Sequence, residues 1–222
     1  MNDGYPACST ARQQLLAEFI GTLLLMATVI GSGIMAERMA GGNAAIAVLG
    51  NTLANCLVLW LLIELLAPVS GAHLNPVVTL VMWRRHQLAA NVGVSYVMAQ
   101  ALGAACGAML AHAMFEMPLL QWSSYVRWGW GQWMAEVVAT AGLLLSILRA
   151  PQRKVSLAAA AWIGAAYWFT ASTSFANPAV TLGRTLTDIF SGSHPGSALP
   201  FVVAQSVGGL FAMWLHRILG AK

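Results

Sequence analysis

Long apolar runs, each close to the length of a bilayer crossing, alternate along this chain with short polar interruptions. They cover residues 13–35, 44–66, 91–113, 133–148, 155–170 and 201–219. A spanning helix needs about 20 apolar residues, so the pattern predicts six spans. Two further stretches place Ser, Thr, Asn and Pro among apolar neighbours. One contains Asn75-Pro76-Val77-Val78-Thr79, the other Asn177-Pro178-Ala179-Val180-Thr181. Asn is a favoured helix N-cap, because its side-chain oxygen accepts from amides of the first turn. Pro suits the first helical position, where its missing N–H is not needed. Each Asn-Pro therefore predicts the start of a short half-helix. The first exits at Trp83-Arg84-Arg85-His86, and the second runs from Pro178 to roughly Asp188.

The two halves of the chain repeat. Ala17-Glu18 with Thr22 recurs as Ala135-Glu136 with Thr140, and Ala99-Gln100 with Gly103 recurs as Ala204-Gln205 with Gly208. The Asn-Pro motif lies between these marks in both copies. A repeat unit of three spans plus a half-helix is odd, so the second copy enters the bilayer upside down. The expectation is an all-α membrane protein, six transmembrane helices and two re-entrant half-helices in an inverted repeat. It is expected to be one domain over 1–222, with halves at about 12–113 and 132–219. Inverted repeats with broken helices place a binding or permeation site near the membrane midplane.

Composition agrees with this. Hydrophobic residues are 59% and charged residues 8% of the chain, against about 25% charge in soluble domains. The net charge of +4 reflects basic residues at membrane edges rather than nucleic-acid binding. Arg12, Arg84, Arg85, Arg149, Arg153, Lys154, Arg217 and Lys222 fall on one side, and Arg38, Arg127 and Arg184 on the other. The positive-inside rule then puts both termini in the cytoplasm. Trp122, Trp128 and Trp130, in the longest connection, match an interfacial aromatic belt. The first run carries Glu18, is too long for a signal peptide and is expected to remain as a helix.

Glu18 and Glu136 are ionisable residues inside apolar spans. The repeat places each to accept hydrogen bonds from a re-entrant loop, whose backbone must be satisfied at membrane depth. Glu64 has no repeat mate and falls on the opposite side of its helix from Asn55. His73 is read as orienting its loop; no metal site is expected around it. Cys8, Cys56 and Cys106 are too scattered for a metal site or disulfide framework. No nucleophile–base or cofactor constellation is visible, so an enzyme is not expected. A secondary transporter shares inverted repeats and broken helices, yet the spans lack paired ionisable residues for ion coupling.

The motifs Ala-Glu-Phe-x-Gly-Thr from Ala17, Ser-Gly-Ala-His-Leu-Asn-Pro from Ser70 and Asn-Pro-Ala from Asn177 resemble the aquaporin, or major intrinsic protein, family. The resemblance covers nearly the whole chain. It implies a passive channel for water and small uncharged solutes, usually a homotetramer in the lipid bilayer, with pore-centre motifs at Asn75, Pro76, Val77 and Asn177, Pro178, Ala179. Val77 departs from the usual Ala. Val180 departs further, since it stands where the family normally has the filter Arg. Family spacing puts the other filter positions at Asn55, Ala165 and Ser174, giving an expected wide filter with no Arg, His or aromatic ring. Arg184, one helical turn beyond Val180, is expected as a mouth or loop-anchoring residue, away from the constriction. The stretch from Ser174 to Arg184 also looks like a bacterial branch associated with arsenic resistance. This implies the inner membrane and adds glycerol, urea and neutral or methylated arsenic species as candidate solutes.

Overall fold

In the computed structural model, residues 9–220 are described and are organised by eight α-helices: α1 (Ala11–Met39), α2 (Ala44–Ser70), α3 (Pro76–Arg84), α4 (Ala90–Met114), α5 (Trp130–Arg149), α6 (Val155–Phe169), α7 (Pro178–Arg184) and α8 (Pro195–Ile218). Cys8 and Lys222 lie outside the described residues. Five helices are long and apolar enough to cross a membrane, not the six that the pattern predicts. The remaining predicted run, 155–170, forms α6, of 15 residues, preceded by a 3-10 turn over Gln152–Lys154. At about 1.5 Å rise per α residue and 2 Å per 3-10 residue, that segment still reaches about 28 Å.

Other boundaries also moved. Pro68 does not end α2; the helix continues to Ser70 and closes at Gly71, whose φ of 86° suits glycine. The last span begins six residues earlier than expected, because His194 Nδ1 accepts from Gly196 N and Pro195 occupies N1. The second half-helix stops at Arg184 rather than near Asp188, and Thr185 turns its hydroxyl back onto Leu182 O (2.7 Å).

Polar side chains lie inside and apolar ones outside. Glu18, Gln100, Glu136 and Gln205 are fully buried, whereas Leu53, Leu57, Trp60 and Leu65 of α2 are exposed. In lipid, close packing rather than water exclusion holds helices together. Glycine supplies it: a Cβ on Gly103 of α4 would sit 2.5 Å from Phe19 O of α1, and one on Gly208 of α8 would sit 2.5 Å from Val137 O of α5. Each half-helix packs into the other half's spans. Ala179 and Val180 of α7 join a cluster with Leu25, Met26 and Val29 of α1. Val77, Val78 and Val81 of α3 join Ala139 and Leu144 of α5 with Ala212 of α8. Neither half has a complete core alone.

A candidate permeation site

Each re-entrant loop is held from behind by a buried carboxylate. Glu18 accepts from Ser70 Oγ (2.7 Å) and His73 N (2.9 Å) through Oε1, and from Leu74 N (2.7 Å) and Gln100 Nε2 (2.8 Å) through Oε2. Glu136 accepts from Phe175 N (2.9 Å), Ala176 N (2.9 Å) and Gln205 Nε2 (2.6 Å). Gln100 also donates to Thr79 Oγ1 and Gln205 to Thr181 Oγ1, and each Thr hydroxyl donates to its own Asn carbonyl. The loops need this support. Ala72, Leu74, Ser174 and Ala176 all have φ between 47° and 51°, costing about 1–2 kcal/mol each for non-glycine residues. Hydrogen bonds to a charged acceptor contribute about 1.5–3 kcal/mol each and offset that strain.

The two half-helices meet at their caps. Asn75 Oδ1 accepts from Val77 N (2.9 Å), and Asn177 Oδ1 accepts from Ala179 N (2.9 Å) and Val180 N (3.4 Å). Asn75 Nδ2 donates to Ala176 O (2.8 Å), and Asn177 Nδ2 donates to Leu74 O (2.7 Å). A carboxamide nitrogen carries two hydrogens, so each Asn keeps one N–H for another acceptor. Pro76 and Pro178 take the first helical positions behind them. Both Asn residues line a narrow cavity of about 70 Å³. Its lining includes Ala72, His73 and Leu74 of the first re-entrant loop and the apolar side chains of Leu25, Val29, Leu59, Ile63, Val78 and Ile163. His73 lies 3.1 Å from Thr79 Oγ1 through Nδ1 and packs edge-on against Tyr96, which fixes its ring beside the lumen. Val77 and Ala179 are not on this wall; Val77 fits against Gly209 of α8 and Ala179 against the α1 cluster.

Asn55, Ser174 and Val180 line the same cavity, but Ala165 does not. Ala165 lies on the exposed face of α6, and the lining residues there are Ala159, Ile163 and Tyr167, spaced four apart. Tyr167, which does line the cavity, stands two positions after Ala165. Two residues are about 200° on a helix, which sends Ala165 to the opposite face.

An arginine and two aromatic rings share the cavity with the expected filter residues. Arg184 is 1% exposed and lines the cavity with Tyr167 and Phe175. Its Nη2 donates to Tyr167 Oη (2.7 Å), and its Cζ lies 4.0 Å from the centre of the Phe175 ring. Asn55 Nδ2 donates to the same Tyr167 oxygen (2.9 Å). Arg127, from the long connection, lies 5.2 Å from the Phe175 ring centre and donates to Gly192 O and Phe190 O. Burial, and then the neighbouring Arg184 charge, pull the Arg127 guanidinium down to about 10. Among the described residues no group of His, Cys, Asp and Glu could hold a metal ion.

The family model for major intrinsic proteins matches residues 7–167. The chain belongs to the major intrinsic protein family. Aquaglyceroporin AqpS of Rhizobium meliloti (strain 1021) is 45% identical over 210 residues, covering 93% of this chain and 90% of that one. The probable aquaporin AqpM of Archaeoglobus fulgidus is 28% identical, covering 96% and 99%. The X-ray structure of the aquaglyceroporin from Plasmodium falciparum shares the fold at a TM-score of 0.71 and 22% identity, covering 93% of this chain and 96% of that one. The protein is thus a multi-pass membrane channel of this family, not an enzyme. Sequence spacing missed Tyr167 and Arg184 at the site. Gln100 and Gln205 were visible only as repeat marks, although two amides recurring inside apolar spans already signalled buried polar partners.

Proposed function

We propose that this channel passes water and neutral solutes of glycerol size, including urea and trihydroxy arsenic or antimony. One observation carries the reading: a mostly apolar cavity is lined by both capping Asn residues, each with an amide hydrogen to spare. A polyol presents both hydroxyls and C–H groups, which suits apolar lining interrupted by Asn donors. The 45% identical relative is named an aquaglyceroporin, which supports the same solute class. Methylated arsenic species belong to this reading because a methyl group suits the wall of Leu25, Val29 and Ile63. Their passage depends on the room that Arg184 and Tyr167 leave in the cavity they line.

The same reading makes the chain one channel domain of two inverted halves, 12–113 and 132–219. Asn75, Pro76, Asn177 and Pro178 form the pore centre, Asn55, Ser174 and Val180 take part in the filter, and Glu18, Glu136 and His73 support the loops. The exposed apolar face of α2 suits a homotetramer, and the basic-residue bias suits a bacterial inner membrane with both termini cytoplasmic. Glu18 and Glu136 are fully engaged by loop donors, which leaves neither for the ion coupling of a secondary transporter.

Stopped-flow swelling of proteoliposomes with water, urea, glycerol, trihydroxy arsenic and monomethylated arsenic tests the reading. Conductance of glycerol and trihydroxy arsenic above protein-free vesicles is expected, without saturation or dependence on a proton gradient. Vesicles permeable to water alone would restrict the function to water.

A further inference from the structure

Three buried polar atoms beside Tyr167 have no hydrogen-bond partner among the described residues: Asn55 Oδ1, Ser174 Oγ and Arg184 Nε. All three residues line the cavity. Tyr167 Oη accepts from both Arg184 and Asn55, so its own hydrogen is left over. Buried polar groups are ordinarily paired, and a convergent set of orphans marks a place where another molecule completes the pairing.

We propose that Arg184 supplies the filter cation that Val180 lacks, and that Arg184, Tyr167, Ser174 and Asn55 form a subsite for a neutral, hydroxyl-bearing solute. The inference rests on the channel reading above. Helix geometry explains how a residue one turn out reaches this level. Side chains on a helix lean toward its N-terminus, and α7 has its N-terminus at the pore centre. A long Arg side chain therefore bends back over the space that a short Val leaves. Phe175 holds the guanidinium plane by its ring, and Tyr167 fixes one end.

The chemistry of the orphans defines the ligand. Arg184 Nε and Tyr167 Oη offer hydrogens, Asn55 Oδ1 offers a lone pair, and Ser174 Oγ offers either. A hydroxyl both donates and accepts, so adjacent hydroxyls on one solute satisfy the set together. A cation instead meets the Arg184 guanidinium, whose hydrogen bonds both go to neutral oxygens.

The test uses full-length protein in liposomes, as wild type, Arg184→Gln, Arg184→Lys and Tyr167→Phe. Two readouts are taken: decay of an imposed pH gradient, and the permeability ratio of glycerol to 1,2-propanediol after subtracting protein-free vesicles. Arg184→Gln is expected to speed gradient decay by about tenfold or more, as for removal of one charge beside a partly desolvated path. It should also lower the glycerol preference. Arg184→Lys keeps the charge but not the planar fork, so it should hold the gradient while losing the preference. Tyr167→Phe removes one oxygen and should lower the preference alone. Conducting Arg184→Gln and Tyr167→Phe channels with wild-type ratio and gradient decay overturn the inference while leaving the channel reading intact. If Arg184→Gln does not assemble, an unchanged ratio in Tyr167→Phe overturns it. A wild type that carries no glycerol overturns the channel reading, and this inference with it.

Discussion

Asn75 and Asn177 hold each other in place: each donates through Nδ2 to the carbonyl just before the other, at Ala176 and Leu74. The exchange joins two half-helices that belong to different halves of the chain. It also fixes which amide hydrogen remains for the lumen, since the side-chain oxygens are already committed to capping. Pore-centre geometry and fold assembly therefore share the same two side chains.

Replacing Asn75 or Asn177 by Asp removes that exchange and places a carboxylate against a backbone carbonyl. Neutral-solute flux is expected to fall by roughly tenfold, equivalent to about 1.4 kcal/mol on the barrier, and cation leak to rise. Stopped-flow swelling with a parallel ion-leak assay measures both. Wild-type flux and ion exclusion in a normally inserted Asn177→Asp channel would move the pore centre elsewhere.

Glu136→Ala strips acceptors from Phe175 N, Ala176 N and Gln205 Nε2 at once. An unsatisfied buried donor costs about 1–3 kcal/mol, so the main loss is expected in folded yield and melting temperature. Glu136→Gln keeps one carbonyl acceptor and should lose less. Fluorescence-detected size exclusion after heating ranks the two variants. Equal stability of wild type and Glu136→Ala would remove the carboxylate from loop support.

Gly103→Ala and Gly208→Ala test the helix contacts. The added Cβ meets backbone oxygen at 2.5 Å in both cases, and backbone cannot rotate aside. Overpacking of this kind costs about 1–3 kcal/mol. Gly131→Ala, where nothing lies within 4 Å, is the control and should melt with the wild type. The same thermal assay decides it, and equal melting of all four proteins would show that these helices tolerate separation.

The loop at the Arg184 mouth carries a pH-dependent tie. Ser124 N and Oγ both donate to Asp188 Oδ1 (2.7 and 2.8 Å), and these bonds, backbone first, hold the carboxyl below its ordinary value. A depressed carboxylate pKa stabilises the fold above the unfolded value and loses that contribution as pH falls through the folded one. Amide exchange at Ser124, corrected for its intrinsic rate, should therefore rise in acid below the usual carboxylate range. Asp188→Asn should show fast exchange at neutral pH as well. Slow exchange in that variant would assign the tie to Ser123 N on Thr185 O (3.1 Å) instead.

Much of this was readable from the residues because the chain states it twice. Glu18 and Glu136, Asn75 and Asn177, and the loops between them occur at matched places in two copies, so one copy checks the other. The failures fall where the copies differ. Tyr167 was missed because it stands two residues beyond the counted position, and a shift of two residues turns a helix face right round. Arg184 was missed because spacing counts backbone rise and ignores a side chain long enough to reach back a turn. The α6 segment, Val155–Phe169, matches its predicted run to within one residue, and the 3-10 turn before it adds the length that 15 residues lack.

Val180→Arg distinguishes a filter lacking arginine from one that already has it. Val180 is buried and shares the cavity wall with Arg184. In an empty, wide filter, an added Arg would restore a water-selective constriction, cutting glycerol flux while sparing water. With Arg184 already present, it instead puts two guanidiniums in one narrow space, where like charges about 5 Å apart repel by roughly 3 kcal/mol at an effective dielectric constant of 20. Glycerol and water flux should then fall together. Exchanging the pair, Val180→Arg with Arg184→Val, relieves the repulsion and should recover water flux while glycerol stays low. Stopped-flow measurement of both solutes on the single and exchanged variants reads this directly. A single Val180→Arg channel that spares water would show that Arg184 leaves the filter during conduction.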